Sequence, residues 1–108
     1  MAKVRFETKQ INDWQDFHEI SKATFGFPDF YGSNMNAWIE CLTYLNEGDG
    51  MSKFELAHGE PLEIEMTNSA DFMERQPEIF KTIIECTALV NSRYVEGKVS
   101  TRVTLTFV

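Results

Sequence analysis

The side chains able to do chemistry are few in this sequence and widely scattered. Two histidines, His18 and His58, and two cysteines, Cys41 and Cys86, stand among 17 Asp and Glu residues in a chain of 108. Neither histidine has a companion at the spacing that metal sites use. His18 falls within a helical pattern, where a histidine more often packs or hydrogen-bonds than catalyses, and His58 falls in a glycine-rich loop. Cys41 follows Glu40, and an adjacent carboxylate raises a thiol pKa, the opposite of what a nucleophile needs. No Gly-x-Ser-x-Gly elbow, P-loop or dinucleotide fingerprint occurs. Asp49, set between Gly48 and Gly50, lacks the oxygen-ligand series and the closing Glu of a calcium loop. No enzyme signature remains, and neither a metal nor an organic cofactor is expected.

A different kind of site is suggested by residues 25–44. Four aromatics, two glycines and a proline fall within residues 25–32, and a helical pattern follows at once. Gly26, Pro28 and Gly32 punctuate a loop. Ser33 or Asn34 can cap a helix whose apolar stripe is Met35, Trp38, Ile39, Leu42 and Leu45. The opposite stripe, Asn36, Glu40, Thr43 and Glu47, is polar. An ordered aromatic loop feeding a helix with one wet face has the character of a surface made to be touched.

Composition bounds what could touch it. The formal net charge is −7, which argues against direct binding of nucleic acid or an anionic membrane, since phosphate contacts need Lys and Arg. A charged partner would be basic. No run approaches a membrane span and no apolar leader follows Met1, so no secretory signal is expected. Cys41 and Cys86 lie in apolar helical patterns and read as buried free thiols of the cytoplasm, although sequence alone leaves a disulfide between them open. With 43% hydrophobic residues, residues 1–108 are expected to form a single domain, a monomer when free.

Seven elements must position the surface. A strand is expected at residues 3–7, with Val4 and Phe6 inward. A helix follows, capped by Asn12 with Gln15 completing a capping box, and buries Trp14, Phe17 and Ile20 before Gly26 stops it. The second helix ends near Asn46. The glycine-spaced segment 47–60 is a connection in which Phe54 and Leu56 could form a brief extra strand. Leu62, Ile64 and Met66 alternate with Glu63 and Glu65 in the clearest strand, and Pro61 at its start suits a sheet edge. Asn68 or Ser69 caps a short helix carrying Phe72 and Met73. Pro77 opens the longest helix, whose inward positions are Phe80, Ile83, Ile84, Thr87, Val90 and Tyr94, ended by Gly97. The last strand alternates Val103, Leu105 and Phe107 with Arg102, Thr104 and Thr106. Strands joined by helical crossovers run parallel. Their alternation predicts helices mainly on one face and a partly wet other face, where Arg5 could meet Glu63 or Glu65.

The run Pro28-Asp29-Phe30-Tyr31-Gly32-Ser33-Asn34-Met35-Asn36-Ala37, continuing through Glu40-Cys41-Leu42-Thr43, resembles the barstar family, small intracellular inhibitors of barnase-type ribonucleases. The likeness begins near Gln10-Ile11 and passes through Asp16-Phe17-His18; the second half is similar in the order of its elements. The resemblance implies a barstar-like α/β fold: a small three-stranded parallel sheet, order 2-1-3 with the first strand in the middle, and about four helices. It also implies an inhibitor that blocks a basic ribonuclease with the loop and the acidic face of the second helix, and no enzyme activity. The implied partner-binding residues are Phe30, Tyr31, Gly32, Asn34, Met35, Asn36 and Glu40. Glu40 stands where the family has a phosphate-mimicking Asp, Asn36 where a second carboxylate is frequent, and Phe30 where there is a tyrosine. An immunity protein against a different nuclease or toxin, or a non-inhibitory interaction domain on the same fold, stays open beside this reading.

Overall fold

Alternation of apolar and polar residues places three strands in register. β1 (Ala2–Glu7) buries Val4 and Phe6, β2 (Leu62–Thr67) buries Leu62, Ile64 and Met66, and β3 (Val103–Phe107) buries Val103. The computed structural model describes residues 2–48, 50–57 and 59–108. Asp49 and His58, considered above as metal or calcium ligands, lie outside the described residues. All strand pairs are parallel, and the chain order is β1, α1 (Trp14–Phe25), α2 (Met35–Thr43), β2, α3 (Ser69–Arg75), α4 (Pro77–Glu96), β3.

The sheet order is β1-β2-β3, which corrects the expected 2-1-3. The centre goes to β2, whose inward row is the most completely buried of the three. Pro61 therefore marks no edge. It lies one residue before the strand, so its missing N–H removes no ladder bond, and the Leu62 N–H donates to the Arg102 carbonyl at 2.9 Å. The free side of β3 is clasped by Asn91, whose amide donates to the Val103 carbonyl and accepts from the Val103 N–H, both at 2.8 Å. On the wet face Lys3 Nζ lies 2.9 Å and Arg5 Nε 3.8 Å from Glu65, and Thr106 donates to Glu63 at 3.1 Å. Ion pairs at a solvated sheet face contribute little to stability.

Helix boundaries shift several expected faces. Asp13, not Asn12, caps α1: the Asp16 N–H donates to Asp13 Oδ1 at 2.8 Å, and Asp16 Oδ2 accepts from the Asn12 N–H at 3.0 Å. A carboxylate answers the positive helix end better than an amide does, and Gln15 turns instead to Glu19. The buried stripe becomes Phe17, Ser21 and Phe25, leaving Trp14 38% exposed and Ile20 half-buried. In α3 Phe72 is buried but Met73 is exposed; Asn68 sits at the cap with left-handed backbone and no side-chain cap bond. In α4 Ile79, Ile83, Cys86, Thr87, Val90 and Tyr94 face inward, a 3.6-residue stripe that leaves Phe80 half-buried and Ile84 exposed.

Residues 54–56 form no strand. The segment is stitched beneath the helices by the Lys53 N–H on the Phe25 carbonyl (3.0 Å) and the Leu56 N–H on the Leu45 carbonyl (2.7 Å), with Leu56 buried. Cys41 and Cys86 are free thiols, both buried. No helix among the described residues is long and apolar enough to cross a membrane.

Candidate partner-binding surface

The loop between α1 and α2 owes its shape to its glycines and aromatics. Gly26 ends α1 in left-handed backbone (φ 67°), and a Cβ there would lie 2.6 Å from Lys53 Cβ. Phe27 is then turned inward, its ring centroid 5.3 Å from that of Phe25 and 4.8 Å from that of Tyr31. The Tyr31 N–H donates to the Pro28 carbonyl at 2.9 Å, closing a tight turn with Asp29 and Phe30 at its tip. Phe30 is 76% exposed, the most exposed large hydrophobic side chain among the described residues. Tyr31 folds the other way. It is only 8% exposed, and its hydroxyl lies 2.6 Å from His18 Nδ1. Burial pushes the Tyr31 phenol well above its ordinary pKa, with Cys41 adding to the effect, and holds the His18 imidazole below its own.

Asn34 joins loop to helix. Its Oδ1 accepts from the Ala37 N–H at 2.8 Å and its Nδ2 donates to the Gly32 carbonyl at 3.3 Å, so one side chain caps α2 and closes the turn before it. Gly32 leaves room for this, since a Cβ there would lie 3.1 Å from Asn34 Nδ2. Inside α2, Trp38 donates from Nε1 to Ser21 Oγ at 3.3 Å, and Ile39, Cys41 and Leu42 are buried beside it. Met35 is half-buried at the rim and Asn36 is exposed. The Tyr94 hydroxyl secures the far end of the helix, donating to the Leu42 carbonyl at 2.7 Å and accepting from the Leu45 N–H at 3.2 Å.

A family model described as Barstar (barnase inhibitor) matches residues 1–106. The chain belongs to the barstar family. No curated protein matches it in a sequence comparison. Barstar-family proteins are non-enzymatic inhibitors. Among the described residues no three His, Cys, Asp or Glu side chains form a group able to hold a metal ion.

Of the seven residues that the barstar resemblance singles out, Phe30, Gly32, Asn34 and Asn36 lie exposed on the loop and the first turn of α2. Met35 and Glu40 are partly exposed beside them, and Tyr31 is the one turned inward. Glu40 is not a lone carboxylate. Oε1 accepts from the Tyr44 hydroxyl at 3.0 Å and Oε2 from Arg93 Nη1 at 3.1 Å, with both the Glu40 and the Arg93 side chains 46% exposed. The Tyr44 hydroxyl and then Arg93 hold the Glu40 carboxyl below its ordinary pKa, and the Tyr44 phenol is raised in turn. Asp29 similarly has Lys22 at 3.9 Å. The outer face is thus less acidic in effect than its sequence suggests.

Three contributors were missed in the sequence. Arg93 and Tyr94 come from α4, and only the fold brings them to α2. The third is an open cleft of about 630 Å³ between the start of α1 and the start of α2, lined by Trp14, Gln15, His18, Glu19, Ser33, Asn34 and Met35. Its signal lay in Trp14, whose place on the capping turn gives it less cover than a mid-helix residue.

Proposed function

We propose that this chain inhibits a barnase-type ribonuclease by covering its active site, one to one, with residues 27–47. The observation that carries the reading is an aromatic side chain held far out of the protein on a braced loop. Phe30 projects while Phe27, Tyr31 and Asn34 fix the backbone on either side of it. Preorganised aromatics of this kind make binding anchors, because little conformational freedom is lost when they dock. Glu40 lies on the adjoining helix face as the carboxylate that meets a phosphate-binding cation. Gly32, Met35 and Asn36 complete the contact surface, while Tyr31 braces it from within. The net charge of −7 favours encounter with a basic enzyme. A standard interface takes about 800 Å² from each partner, a modest part of the 5940 Å² exposed here. The two buried thiols suit action in the cytoplasm.

A second reading is favoured by the Glu40–Arg93 pair and the neutral Asn36. With these, the surface relies more on Phe30 than on charge, which fits a divergent nuclease, another toxin, or a non-nuclease protein. Titrating the chain into a barnase-type ribonuclease while following RNA cleavage tests the first reading: activity falls to zero at one equivalent if it holds. Undiminished cleavage at excess inhibitor would remove that enzyme class as the partner.

A further inference from the structure

Lys22 and Asp29 stand 3.9 Å apart on this surface, but the Glu40 carboxylate has both oxygens engaged before any partner arrives. Tyr44 holds one oxygen and Arg93 the other. Arg93 reaches across from α4, next to Tyr94, whose hydroxyl ties α4 to the end of α2. Tyr94 thus holds the α4 backbone against the end of α2, and the Arg93 side chain extends from there to Glu40. Its contact with Glu40 uses a single N–H group of a guanidinium that carries five N–H donors.

We propose that Arg93 is a specificity-determining residue: it supplies Glu40 with an internal counter-charge and so discriminates against partners that bring cations alone to this face. The inference rests on the inhibitor reading above. A partner cation approaching Glu40 meets a like charge about 3 Å from the carboxylate it seeks, and like-charge juxtaposition at an interface is strongly unfavourable. Because the pair is half-exposed, holding it together is worth little. Arg93 therefore does not stabilise the fold appreciably; its effect lies in which partners are accepted. The best-fitting partner sets an acceptor for the guanidinium beside its own cation.

The test compares wild type, Arg93→Ala, Arg93→Lys and the double variant Glu40→Gln/Arg93→Ala for binding to a barnase-type ribonuclease at low and moderate salt. Arg93→Ala is expected to bind about tenfold more tightly than wild type, with faster association and steeper salt dependence. Arg93→Lys keeps the wild-type affinity, and Glu40→Gln in the Arg93→Ala background cancels the gain. Unchanged or weaker binding by Arg93→Ala, with wild type binding normally, overturns this inference and leaves the inhibitor reading standing. No binding by wild type or Arg93→Ala overturns both, whereas binding by Arg93→Ala alone supports this inference and removes that enzyme class as the partner of the wild-type chain.

Discussion

The Tyr31 hydroxyl meets His18 Nδ1 at 2.6 Å inside the protein, so the projecting loop is fastened to α1 through one buried polar contact. Removing that hydroxyl leaves a buried ring nitrogen without its partner, at a cost of about 1–3 kcal/mol. Tyr31→Phe should therefore lower the urea midpoint of unfolding clearly while leaving the fold intact. An unchanged midpoint would mean that the contact does not hold the loop.

The burial of His18 makes stability depend on pH. Burial depresses the His18 pKa below its ordinary 6.5, so the unfolded chain binds the proton more readily than the folded one. The sign follows: the contribution is complete above about pH 6.5 and is lost as pH falls from there through the lower folded value. Unfolding free energy measured across pH 7 to 5 should fall in wild type, and His18→Gln should flatten that segment of the curve.

Asn34 and Phe30 separate bracing from contact. Asn34→Ala removes the cap of α2 and should cost about 1 kcal/mol of stability. Phe30→Ala alters an exposed side chain and should stay within about 0.5 kcal/mol of wild type in stability, while its affinity for the ribonuclease falls by tenfold or more. A Phe30→Ala protein that binds at full strength places the contact surface elsewhere.

Much of this could be read from the sequence where the determining interactions are local. Alternation at Val4-Phe6 and at Leu62-Ile64-Met66 fixes strands and their inward faces, and the spacing of Trp38, Ile39 and Leu42 fixes the buried side of α2. Asn34 was legible as a cap because capping reaches only three residues along the chain. Errors of a single residue, as between Asn12 and Asp13, were enough to turn Trp14 outward. Strand order was not legible, since alternation says which face is buried but not which strand lies next to which. The Glu40–Arg93 pair was hidden for the same reason: its partners are 53 residues apart and meet only because α4 packs on α2.

Glu40 and Asn36 bear on the electrostatics of docking. Glu40→Ala should weaken ribonuclease binding by about 2–5 kcal/mol, because truncation leaves the partner's cation buried and unpaired. Asn36→Asp adds a carboxylate one turn away and should speed association with a basic ribonuclease. Binding rates measured at two salt concentrations check both, and a Glu40→Ala value within error of wild type would exclude Glu40 from the interface.

The central claim is that the exposed loop and the outer face of α2 close a ribonuclease active site. A calorimetric titration of a barnase-type ribonuclease with wild type and with the Phe30→Ala/Glu40→Ala double variant tests it most directly. The account predicts a one-to-one complex with wild type, and with the double variant a loss of affinity of at least a hundredfold, about 2.7 kcal/mol. Full-strength binding by the double variant, or no complex with wild type, would contradict it.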